Sequence, residues 1–236
     1  MTKVLSAACL GINAYPVEIE VDVSSGLPQF IVVGLPDISI KESRERVRSA
    51  IKNSGYPFPP EKITINLAPA DIKKEGPAFD LPIALGILAV NGIIPAARLS
   101  EYIFLGELAL DGSIRPFKGA IVIASGLGVQ PKSGFIFPKE NAAEACLEEN
   151  AKIYPVETLT QVVQFLKAEI ELPAAPLHAQ KVFAAHHSES MDFSEVKGQF
   201  FAKRAIEIAV AGRHNLLRTW TLNQQLRRGV LVYRKG

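Results

Sequence analysis

From Val17 to Val23 the chain alternates without a break: Val17, Ile19, Val21 and Val23 are apolar, and Glu18, Glu20 and Asp22 lie between them. That is the period-two pattern of a strand with one buried face. "KVLSAACLGI" before it and "FIVVGL" after it have strand composition too, so three early strands are predicted. The period then changes. In "ISIKESRERVRSAIKNSG" the residues Ile40, Val47 and Ile51 share one helical face, Lys41/Glu45 and Glu42/Arg46 are opposite charges at i,i+4, and Gly55 is a stop signal. A strand "KITINLAP" and a charged loop around Lys73 follow. Next comes a helix that is apolar on every side, starting after Asp80, which is placed to cap it, with Pro82 in its first turn.

The second half predicts a strand "YIFLGELALDG", a turn at Asp111 and Gly112, a strand "IRPF", a helix "GAIVIASGLG" and a strand "GFIFP". A short helix "NAAEACLEE", a strand "KIYPV" and a helix "TLTQVVQFLKAE" complete it. This is one mixed α and β domain over residues 1–168. Residues 169–190, rich in Ala, Pro, Ser and His without a period, read as a linker. An amphipathic helix over Phe200 to Ala211 and the first residues of a strand without sheet partners occupy 191–217, and 218–236 form a basic tail.

At 236 residues, 48% hydrophobic and 21% charged, the chain has the composition of a globular protein with a substantial core. No apolar run reaches the roughly eighteen residues that span a bilayer, and the first residues alternate into charges rather than forming a leader, so a cytoplasmic protein with no membrane partner is expected. Cys9 and Cys146 sit far apart in apolar surroundings and read as core residues. His178, His186 and His187 have no Cys or acid at ligand spacing, so no metal site is expected. The net charge of +2 is uneven. Residues 201–236 carry +7 and the first 200 carry −5, which places the basic character in a tail that reads as a solvated or disordered terminus, with nucleic-acid contact as the alternative.

Candidate chemistry centres on "KKEGPAFDLPIALG", a charged loop, a Gly-Pro turn and a buried helix, the arrangement that presents a nucleophile at a helix start. Ala78 occupies the nucleophile's position. With "FLGELALDGSIRPFKGA" and "FPKENAAEA" in the same order, the framework resembles the proteolytic domain of Lon protease. The resemblance puts that family's serine at Ala78 and its lysine at Ile123. Loss of a nucleophile alone costs on the order of a million-fold in turnover, so no catalytic residue is assigned and peptidase activity is not expected.

A longer resemblance covers Met1 to about Leu217. "KVLSAACLGINAYPVEIEVDVSSGLPQFIVVGLPD", "KESRERVRSAIKNSG", "ITINLAPADIKKEGPAFDLPIALG" and "DFSEVKGQFFAKRAIEIAVAGRHNLL" are similar to the ComM/YifB proteins, the magnesium-chelatase-like AAA+ ATPases. The resemblance implies an α+β, Lon-protease-domain-like (ribosomal-protein-type two-layer α/β) fold. A linker and the beginning of an AAA+ motor would follow. It further implies hexameric rings, ATP and Mg as cofactors of full-length relatives, and DNA processing in natural transformation. Full-length AAA+ subunits and DNA are then the expected partners; a module working alone would pair with full-length subunits or nucleic acid through Lys41, Arg44, Arg48, Lys73 and Lys74. For the three cations of the helix, a solvated face held by its own ion pairs is the competing reading.

Where the family continues into a GxxxxGK[ST] phosphate loop, this chain reads "RTWTLNQQLRRGVLVYRKG". It has neither that loop nor an acidic Walker B strand, so an ATPase-inactive, truncated product with no cofactor of its own is expected. Val196, Lys197 and Gly198 match the segment beside the adenine in related motors, with a local helix-start role as the alternative. A frameshift would account for the divergence: Trp220 is encoded TGG, and if Arg218 and Thr219 are CGG and ACC, reading one base later gives Gly-Pro-Gly. A stand-alone binding or assembly module is the second function class.

Overall fold

A computed structural model describes residues 1–72, 74–128, 131–176, 198–212, 215–218 and 230–233. The chain divides into two compact units, Met1–Val182 and Phe183–Gly236.

The first unit begins with β1 (Thr2–Leu10), β2 (Asn13–Ser24), β3 (Gln29–Val33), α1 (Ile38–Asn53) and β4 (Lys62–Ala68). These strands form one sheet in the order β1-β2-β4-β3. The pairs β1/β2 and β2/β4 are antiparallel, while β3 and β4 are parallel and joined through α1. Register follows the alternation: Ile19 lies opposite Leu67 and Val21 opposite Ile65, and all four are fully buried. One slip would turn this apolar row to solvent. The row packs with Ile40, Val47 and Ile51 of α1 and with α2 (Asp80–Val90), in which every residue from Asp80 to Ala89 is buried. Helix and sheet approach closely at Gly86, where a Cβ would lie 2.5 Å from Cγ2 of Val21.

A second, parallel sheet has the order β5-β8-β9, built from β5 (Tyr102–Phe104), β8 (Gly134–Pro138) and β9 (Ile153–Val156). Between β5 and β8 lie β6 (Glu107–Leu108), β7 (Ile114–Arg115) and α3 (Ala120–Leu127); α4 (Lys139–Ala145) follows β8 and α5 (Leu159–Leu166) follows β9. Ile103, Phe135, Phe137 and Ile153 form a second core with Ala120 and Ile123 of α3 and Ala142 and Ala145 of α4. The alternate residues Phe104, Ile136 and Val156 join the first core with α5. Helices therefore cover both faces, as parallel strands require. Such mixed helices and sheets agree with the expected α+β class.

Three local expectations are corrected. "YIFLGELALDG" is not one strand: it breaks after Phe104, and β6 turns away to pair with β7. The break falls where Gly106 gives its backbone to the elbow, donating to the Ala78 carbonyl at 2.8 Å and accepting from Leu81 N–H at 3.0 Å. Asp80 does not cap α2; it is the helix's first residue, no side chain caps the end, and its carboxylate is engaged elsewhere. Finally, packing continues past Ala168. Leu172 is buried, and Ala175 N–H donates to the Ile153 carbonyl at 2.7 Å.

The second unit contains α6 (Phe200–Gly212), β10 (Asn215–Arg218) and β11 (Val230–Tyr233). The expected unpaired strand is corrected as well, since β10 pairs antiparallel with β11 of the basic tail, Asn215 opposite Tyr233. Phe200, Phe201 and Val210 of α6 are exposed.

Candidate functional site

The Gly-Pro-Ala segment folds as an elbow. Gly76 has φ +88, a conformation that L side chains rarely adopt, and Pro77–Phe79 make one 3-10 turn into α2. Ala78 and Ile123 are both buried and belong to the same apolar cluster, with Ala7, Leu105 and Phe137. The two positions that the Lon resemblance gives to a serine and a lysine thus share one core, and both are apolar. Cys9 packs against this cluster, and burial, with the Glu144 carboxylate adding to it, pushes its thiol pKa up, so it is held away from the thiolate form.

Two carboxylates clamp α1 to the elbow. Asp37 caps α1 by accepting from Ile40 N–H at 2.9 Å, and its other oxygen accepts from Gly76 N–H at 3.0 Å. Asp80 accepts from Arg46 Nε at 2.6 Å and Nη2 at 3.1 Å, and from Leu108 N–H at 3.3 Å. The Asp80 side chain is 1% exposed. Burial pushes its pKa up to about 6, against the opposing pull of the Arg46 guanidinium. This pair replaces the expected Glu42/Arg46 contact. Arg46 faces inward, where a buried carboxylate outcompetes an exposed neighbour on the same helix, and Glu45 meets Arg44 at 3.5 Å rather than Lys41.

The candidate contact residues separate. Lys41, Arg44 and Arg48 are exposed on the outer face of α1, and Lys52, which sequence reasoning missed although it lies one turn beyond Arg48, continues the row. Lys41, Arg48 and Lys52 make no ion pair among the described residues. Lys74 is corrected: it is fully buried, its ammonium donates to the Pro69 carbonyl, and burial lowers its pKa. Its backbone bridges Leu35 and Asp37, so it ties the elbow loop to the start of α1 and presents nothing to a partner. Gly198 has φ +69 and lies two residues before α6. Lys73, Val196, Lys197 and the three linker histidines lie outside the described residues. Among the described residues no three His, Cys, Asp or Glu group as a metal site, and no helix is long and apolar enough to cross a membrane.

Residues 19–141, from β2 into α4 and including both clamps, match the family described as subunit ChlI of Mg-chelatase, and residues 192–220 match magnesium chelatase, subunit ChlI. The chain is 45% identical over 217 residues to the competence protein ComM of Haemophilus influenzae, covering 91% of this chain and 42% of that protein. It belongs to the ComM/YifB family of ChlI-type proteins. The YifB proteins of Salmonella typhimurium and Escherichia coli are 45% and 43% identical to it, covering 89% and 92% of this chain and 40% and 42% of theirs. This ComM/YifB chain therefore spans about two-fifths of the length of the relatives it matches.

Proposed function

We propose that this chain is a non-hydrolysing N-terminal portion of a ComM/YifB-like AAA+ ATPase that takes part in DNA processing during natural transformation. In this reading a Lon-protease-like fold serves as architecture. The observation that carries it is the elbow: fully formed, clamped twice to α1, and apolar at both Ala78 and Ile123. A framework kept without its chemistry serves assembly or binding. The likeness to the competence protein ComM supports the process.

In this reading the chain itself holds neither ATP nor Mg. A phosphate site needs a glycine-rich turn between a strand and a helix N-terminus. Here residues 219–228 contain no glycine, and among the described residues β10 pairs antiparallel with β11. Nucleotide chemistry is accordingly assigned to the longer relatives. A phosphate-release assay on the purified chain tests this, with no turnover above background expected; measurable ATP hydrolysis would overturn it.

A second reading, a stand-alone module that pairs with full-length AAA+ subunits or nucleic acid in the cytoplasm, is favoured by Lys41, Arg48 and Lys52 of α1, which make no ion pair among the described residues, and by the exposed Phe200 and Phe201 of α6. Co-purification with an intact full-length subunit distinguishes it from the first.

A further inference from the structure

The outer face of α1 holds Lys41, Arg48 and Lys52 seven and four residues apart. At 3.6 residues per turn they fall within about 40° of arc, and they span about 16 Å along the axis. All three are exposed and free of ion pairs among the described residues. The two acids of this face do not cancel them: Glu45 is engaged by Arg44, and Glu42 lies about 100° round the helix, towards the Arg46 side. From residue 41 to 52 no aromatic or large apolar side chain is exposed, whereas a protein interface depends on such anchors. The nearby exposed Ile38 lies one turn before the row.

We infer that this row is a docking strip for a nucleic-acid phosphate backbone, with Lys41, Arg48 and Lys52 as its contacts. The inference rests on the DNA-associated reading above and names the surface that serves it. Cations one or two turns apart follow successive phosphates, and without aromatic stacking or amide groups free to read base edges the contact is independent of sequence. Asn53, the neighbouring amide, is tethered by its Nδ2, which donates to the Leu110 carbonyl at 2.7 Å. The Asp37–Gly76 and Arg46–Asp80 clamps hold α1 rigid, so little order is lost when the strip is engaged.

The test is fluorescence anisotropy of the full chain with a labelled single-stranded 30-mer and with its duplex, over a salt titration. The variant Lys41→Gln/Arg48→Gln/Lys52→Gln is compared with a control carrying Lys118→Gln/Lys132→Gln/Lys152→Gln, which removes the same charge from other exposed positions. The α1 variant is expected to bind about tenfold or more weakly near 100 mM salt. Its log-log salt slope should be shallower by about 2 for the single strand or about 3 for the duplex. The control, and the charge-keeping Lys41→Arg/Arg48→Lys/Lys52→Arg, should stay near wild type. Equal losses in the α1 variant and the control, unchanged binding in the α1 variant, or displacement of the DNA by equimolar polyglutamate would overturn the strip. Since the basic tail is common to all variants, the differences report on α1. ATP turnover by the wild type would instead refute the non-hydrolysing reading and leave the strip standing.

Discussion

Arg46 and Asp80, 34 residues apart, meet through two hydrogen bonds of 2.6 and 3.1 Å at the point where α1, α2 and β6 converge. The guanidinium also donates to the Ser39 carbonyl at 3.0 Å, so its fork is filled from both sides. Removing Arg46 strands a buried carboxylate. Arg46→Met is expected to destabilise the first unit by about 3 to 5 kcal/mol at pH 7.5 in urea unfolding, and Arg46→Met/Asp80→Leu by much less. A loss under 1 kcal/mol in the single variant would show that the pair does not hold the clamp.

Asp80 also sets a pH dependence. Its pKa is raised by burial from the ordinary 3.8 to about 6, so the folded state holds a proton that the unfolded state releases. The associated stability is fully present below about pH 4 and is lost as pH rises through 6, an effect of about 3 kcal/mol. Asp80→Asn cannot titrate. The stability of wild type relative to Asp80→Asn should therefore fall between pH 3 and pH 7 by about that amount, whereas a constant difference would place the carboxyl at an ordinary pKa.

Gly34 closes the turn after β3 at φ +94, and a Cβ there would lie 2.2 Å from the Leu67 backbone oxygen. A backbone atom of a central strand cannot swing aside as a side chain does. Gly34→Ala is expected to cost about 3 kcal/mol or more, against about 1 to 2 kcal/mol for Gly92→Ala, which has φ +72 and nothing within 4 Å. Equal thermal shifts for the two would mean that conformation, not the close approach, dominates.

Ala78→Ser restores a hydroxyl at the elbow without a base, because Ile123 in the same cluster cannot accept its proton. No cleavage of casein or a fluorogenic peptide is expected. Activity in this single variant would show that another group near Ala78 serves as the base.

Much of this was legible locally. The alternation of Val17 to Val23 sets which face of β2 is buried, the spacing of Ile40, Val47 and Ile51 sets the inward face of α1, and the collinear strings carry the family. These signals are periodic, and a period needs only neighbours a few residues away.

Tertiary structure alone decided the rest. Helical spacing offers Arg46 the exposed Glu42, yet the fold brings Asp80 from 34 residues away with its carboxylate buried, and a charge pair shielded from water on one side is stronger than an exposed one. Lys74 looked like one more surface cation in a charged loop, until the loop folded against Leu35 and Asp37 and took it inside. The strand after Tyr102 breaks because Gly106 bonds to the elbow, and β10 finds its partner in the divergent tail. In each case the deciding atom lies far along the chain, and composition and period carry no record of which distant backbone or charge arrives. What they do fix is the face each element turns inward, the constraint from which those meetings follow.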